Sequence, residues 1–131
     1  MSILNVLAAG IASYIFGAIW YMSLSTPWME ASGVAVGPDG KPANSKEPLP
    51  YIVGFICTII VAAAMNHFFI RAGISQVGSG LIWGAGIGLC LAVPWIFTNY
   101  SFAGRPIKLM LIDGAYAAIG CTIMGAVLTL F

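Results

Sequence analysis

Charge is nearly missing from this sequence. Lys and Arg number five and Asp and Glu four in 131 residues, 7% in all, where an ordinary soluble domain carries about 25%. A net charge of +1 gives no basic field for nucleic acid and no acidic tail, which excludes partners gathered by long-range electrostatics. Histidine is limited to His67, and the three cysteines, Cys57, Cys90 and Cys121, show no CxxC pairing. Neither a zinc site nor a disulfide framework is expected, and the cysteines read as small packing residues. No nucleophile and base pair, phosphate loop or metal cluster stands out, so the chain reads as non-enzymatic and without a cofactor. Alternation of apolar and polar residues is also absent, which removes a membrane β-barrel.

What is present is apolar: 60% of the residues are hydrophobic. Crossing the hydrocarbon layer takes about 20 mainly apolar residues in a helix, and lipid cannot satisfy loose backbone groups. Four segments qualify, 3–24, 51–70, 78–102 and 107–131. The first has no Lys or Arg before it and exceeds the run of about 7 to 15 apolar residues in a cleaved signal, so it reads as a retained span. The fold expected is an all-α integral membrane domain, one up-down antiparallel four-helix bundle over 1–131, with sequential helices side by side because two of the links are short. In the longer loop, 25–50, Thr26 is placed to cap a short interfacial helix with Pro27 at its first position and Gly33 at its end. The proline-rich remainder reads as mobile loop. Lys41, Lys46, Arg105 and Lys108 fall on one side and Arg71 alone on the other. The positive-inside rule then sets both termini outside the cytoplasm.

Between helices in lipid the hydrophobic effect supplies little drive, so small residues that let backbones approach are the packing signal. Gly80, Gly84, Gly88 and Ala92 recur every four residues in the third segment, with Gly78 and Gly86 nearby. Gly54, Thr58, Ala62 and Asn66 follow the same spacing in the second, and Asp113, Ala117, Cys121 and Gly125 in the fourth, where Gly114 is a further packing glycine. Ala9, Ser13 and Gly17 repeat it in the first. Such faces serve contacts within the chain or with a second copy. Pro94 interrupts the third helix and predicts a kink, since it removes a hydrogen bond to the Cys90 carbonyl.

The residue that composition does not explain is Asp113, about 9 Å into the fourth helix at 1.5 Å per residue. A carboxylate at the bilayer centre costs roughly 2.5 to 3.5 kcal/mol on insertion scales, and intramembrane acids mark functional sites by default. Antiparallel threading brings Trp20, Tyr21, Asn99 and Tyr100 to the same side and a similar depth. Arg105 is the expected counter-ion, Tyr116 an additional donor, and Lys108 points outward. Two readings follow: a polar pocket for a cation, proton or polar solute with Asn99 and Tyr100 as orienting ligands, or a staple holding helices one, three and four. Asn5, Asn66, His67 and Arg71 fall at the opposite face, where His67 reads as interfacial.

The same residues carry a family pattern. Gly17, Trp20 and Tyr21 closing the first helix, Trp28 and Met29 after it, Leu111 through Tyr116, and Met124 with Gly125 resemble, over nearly the whole chain, the bacterial membrane family catalogued as domain of unknown function 1761. That resemblance implies a layout of four helices with a longer first loop, in a bacterial inner membrane, and brings no activity. The expectation is a small multi-pass protein that self-associates and binds or passes a small solute at Asp113. The alternative is an accessory or scaffold subunit of a larger membrane complex. In either case its surroundings are lipid, and nucleic acid is not a partner.

Overall fold

The computed structural model describes residues 3–131 as helices joined by turns. In order they are α1 (Ile3–Ser23), α2 (Ser25–Ser32), α3 (Pro48–Ala72), α4 (Val77–Ile87), a π-helical turn (Gly88–Ala92), α5 (Val93–Phe102) and α6 (Ile107–Leu128). α4, the π turn and α5 are one continuous third span, Val77–Phe102. With α1, α3 and α6 it makes four helices long and apolar enough to cross a membrane. Their outer faces carry Ile15, Ile19, Ile60, Leu89 and Trp95, all more than half exposed. Aqueous proteins do not display an apolar surface of that extent, and the chain is a multi-pass membrane protein.

Local sequence explains where the helices begin and end, and corrects three expectations. α3 starts at Pro48, inside the stretch expected to be loop, because Glu47 is extended and prolines fit a first turn whose N–H groups have no helical acceptor. α2 starts at Ser25 without a side-chain cap, so Thr26 is not its cap. α1 ends one residue earlier, and the Leu24 carbonyl already accepts the Trp28 N–H at 2.9 Å. The proline-rich stretch between Gly33 and Pro48, read as turns and loop, closes a small hydrogen-bonded turn. Ala43 N–H donates to the Ala35 carbonyl at 2.7 Å, Gly37 N–H to that of Lys41 at 2.7 Å, and Gly40 turns with φ 77°.

Two helix ends share one device. Ile74 N–H reaches the Phe69 carbonyl (2.9 Å) after Gly73, and Arg105 N–H reaches the Tyr100 carbonyl (2.9 Å) after Gly104. Both glycines have φ near 70°, the left-handed residue that such a C-terminal motif requires. At Pro94 the break takes the form of a π turn: the Val93 N–H bonds the Gly88 carbonyl, five residues back. A wider turn just before the proline accommodates a residue without an N–H inside a continuous span.

α6 is the central helix. It packs on α1, on both halves of the third span, and less on α2 and α3. The glycine stripe docks where expected. A Cβ on Gly80 would collide with the Gly125 carbonyl, one on Gly84 with the Cys121 carbonyl, and one on Gly88 would stand 2.7 Å from the Ala118 Cα. Rising numbers in the third span meet falling numbers in α6, so these two run antiparallel. α1 meets α6 in the same sense, from Ser13 at Gly120 to Trp20 at Ile112, and meets α3 from Gly10 at Ile59 to Tyr14 at Gly54.

The expectation that every sequential pair packs side by side fails for α3 and the third span. They are joined by only Gly73–Gln76, yet α3 lies on α1 and the third span on α6. They meet in an edge-on contact of Phe68 and Trp83 with centroids 5.7 Å apart, and Ile87 packs against the core to which Ala62, Met65 and Phe69 belong. Glycine facing small residues permits backbone contact, whereas bulky rings hold two helices apart.

Gly84→Val is expected to lower stability by about 3 kcal/mol, the upper part of the overpacking range, because its new atoms meet backbone. Gly78→Ala, with no atom within 4 Å of the added Cβ, is expected to stay within about 0.5 kcal/mol. Unfolding in mixed micelles with circular dichroism as the signal checks both.

Candidate functional site

Three elements bring donors to the acid. Asp113 sits on the second turn of α6, half-buried. Tyr21, near the end of α1, donates its hydroxyl to Asp113 Oδ1 at 2.5 Å, and Tyr100, near the end of α5, donates to Oδ2 at 2.6 Å. Both lengths match phenol donation to an ionised carboxylate. The acid thus links α1, α5 and α6 in one cluster, one phenol to each oxygen.

Backbone geometry sets each donor. The Trp20 indole N–H bonds the Ile112 carbonyl at 3.0 Å, fixing the rotation of α1 so that the next residue, Tyr21, faces Asp113. Tyr100 is held at the end of α5 by the turn in which its own carbonyl accepts the Arg105 N–H. Gly17 leaves room for the Tyr116 ring, since a Cβ there would lie 2.7 Å from Tyr116 Cε1. That ring meets Tyr21 edge-on at 5.2 Å and stacks on Phe16 at 6.2 Å. Trp28, from α2, meets the other side of Tyr21 at 6.0 Å.

Of the residues singled out from sequence, Asp113, Tyr21, Tyr100, Trp20 and Tyr116 come together, and two do not. Asn99 is exposed and makes no side-chain hydrogen bond among the described residues. It precedes Tyr100 by one position, so a helix that turns Tyr100 toward α6 swings Asn99 about 100° away. Arg105 is exposed and pairs with no carboxylate among the described residues. Its guanidinium lies over Gly33, with Nη1 2.7 Å from the position of a Cβ there. The chain turns at Gly104 before Arg105 and directs that side chain toward the end of α2. Tyr116 touches Tyr21 but does not donate to Asp113, and the Thr58 hydroxyl of α3 donates to the Gly54 carbonyl of its own helix at 2.7 Å. Lys108 points outward to Glu30 at 3.9 Å, an exposed pair of little energy.

These contacts put α2 and the loop after α5 at one end of the molecule, over the acid. Sequence reasoning passed over Phe16 as a site neighbour, and Trp28 entered only through the family pattern. Phe16 comes in by stacking on Tyr116, and Trp28 by the packing of α2 on Tyr21. At the far end His67 and Arg71 are exposed, Asn5 is buried, and the Asn66 side-chain oxygen is buried without a hydrogen-bond partner among the described residues. None of these joins the acid.

Chemically the cluster is an acceptor surrounded by donors and rings. An ionised carboxylate accepts at both oxygens, whereas a protonated one donates from one of them. Two phenols use one bond on each oxygen and leave each further acceptor capacity, which a proton or cation could use.

Tyr21→Phe and Tyr100→Phe are each expected to lower stability by roughly 1.5 to 3 kcal/mol, the range for hydrogen bonds to charged groups. Because both share one carboxylate, their effects in a double-mutant cycle should not add. The same unfolding assay measures all three variants.

A family model described as "Protein of unknown function (DUF1761)" matches residues 4–129, nearly the whole chain. No curated protein and no solved structure matches significantly.

Proposed function

The chain belongs to the DUF1761 family, and on that premise we propose that it is a non-enzymatic inner-membrane protein whose pocket around Asp113 binds or passes a small cation, proton or polar solute. The observation that carries this reading is the pairing of each Asp113 oxygen with a phenol from a different helix. A staple of three helices would use the same two bonds, and what supports binding is the character of the donors. Here a charge is held at the junction of three helices by hydroxyls that can rotate away, with no cation within ion-pairing distance among the described residues. The ionisable neighbours facing it are Tyr21 from α1, Tyr100 from α5 and Tyr116 on its own helix, with Arg105 beyond Tyr100. By the positive-inside rule the end holding Lys41, Lys46, Arg105 and Lys108 faces the cytoplasm, the pocket opens there, and the four spans run up and down with both termini outside. A bundle this small barely encloses a path, so passage requires a second copy.

The rival reading is an accessory subunit of a larger membrane complex. It is supported by the wide apolar faces of α3 and the third span, whose most apolar windows are each only 17% buried within the chain. Gentle detergent extraction separates the two, since a stable homo-oligomer supports passage and constant co-purification of a monomer with another complex supports the rival.

The direct test is flux in liposomes. Purified protein should move protons or small monovalent cations, and Asp113→Asn, which keeps the shape and removes the charge, should cut that flux at least tenfold, a difference of about 1.4 kcal/mol. Equal flux for every ion tried overturns the reading.

A further inference from the structure

The short helix after the first span is held in place from outside itself. α2 has eight residues and no side-chain cap on its first turn, and a helix of that length is marginal unless packing supports it. Both of its ends are joints. Leu24 (φ −111°, ψ 21°) breaks the helical path out of α1, and Gly33 (φ 69°) ends α2 in the left-handed conformation. Its two faces differ: Leu24, Trp28 and Ala31, spaced by four and three, are half-buried or buried, whereas Thr26 and Glu30 on the opposite side are exposed.

The inner face of α2 rests on the surroundings of the acid. Trp28 meets the Tyr21 ring edge-on at 6.0 Å, and the Tyr21 hydroxyl is on Asp113. Docking of α2 and the bond between Tyr21 and Asp113 therefore support each other. Farther along, two cations beside the start of α6 hold the helix. Lys108 Nζ lies 3.9 Å from Glu30 Oε2, and the Arg105 guanidinium lies over Gly33, at the helix C-terminus, where the dipole favours positive charge.

The dimensions agree with a cover. Eight residues of helix rise about 12 Å, and packed helices stand about 8 to 10 Å apart, so α2 is long enough to cross from the end of α1 to the start of α6. Asp113 lies about 9 Å inside that start. The attachments are also releasable. Glu30 and Lys108 are exposed, so their pair is weak, and none of these contacts involves the glycines that hold the third span to α6.

We propose that α2 is a lid over the Asp113 cluster, docked through Trp28 and latched by Arg105 and Lys108, whose release admits water and solute to the carboxylate from the side on which α2 lies. This rests on the reading of Asp113 as a group that exchanges its ligand, and adds how access to it is regulated.

Carboxyl labelling reads access without reference to transport. The full chain in lipid nanodiscs is treated with a water-soluble carbodiimide and glycinamide, and mass spectrometry follows the label at Asp113 against that at Asp39, which is exposed in the loop. Trp28→Ala should raise the relative rate at Asp113 at least fivefold. A second chain carries Glu30→Cys and Lys108→Cys, with Cys57, Cys90 and Cys121 replaced by Ala. Joining its two thiols with a bis-methanethiosulfonate should lower the rate at least tenfold, and reductant should restore it. Circular dichroism checks the folding of both variants, and the crosslink compares one protein with itself. In liposomes the same crosslink should cut proton or cation flux at least tenfold, again reversibly. A rate at Asp113 that the crosslink leaves unchanged overturns the lid, and flux that still depends on Asp113 then leaves the underlying reading standing. Labelling that follows the latch while flux is indifferent to Asp113→Asn sustains the lid and overturns that reading instead.

Discussion

The closest approach in the molecule is between backbones. Along Gly80, Gly84 and Gly88 the third span lies against α6 with no room for a side chain, and much else follows from that contact. In lipid an apolar side chain gains little by leaving its surroundings for another helix, so dispersion between closely fitted backbones is the main attraction available. The third span spends its small-residue face on α6, which brings Tyr100 to the depth of Asp113 at one end and leaves α3 without a matching surface along the rest.

The acid adds a second constraint of a different kind. Hydrocarbon offers no hydrogen bonds, so a half-buried carboxylate must take them from protein. Tyr21 and Tyr100 supply one each, and the indole of Trp20, bonded to the backbone one residue before the acid, sets the rotation of α1 that makes the first possible. Packing and polarity meet at Gly17, where a missing side chain admits Tyr116 and Tyr116 in turn packs on Tyr21. The rings of Phe16, Tyr21, Trp28 and Tyr116 so form an aromatic wall beside the acid.

The π turn at Gly88–Ala92 belongs to both features. It adjoins the last glycine of the backbone contact and precedes the proline from which α5 carries Tyr100 to the acid.

Number and approximate extent of the spans were readable from composition, because hydrocarbon thickness fixes helix length and excludes charge. So were the glycine stripe and the anomaly of Asp113, both visible as spacing along one chain. The helix start at Pro48, the choice of Tyr100 over Asn99, the placing of Arg105 over Gly33 and the separation of α3 from the third span were not. Each depends on how a helix is rotated and which neighbour it meets, quantities set by contacts between segments far apart in sequence. Linear pattern determined what could enter the membrane and where polarity needed a partner. Tertiary packing alone decided which hydroxyls became that partner and which face was left open, because steric fit between helices has no counterpart in the spacing of residues along any one of them.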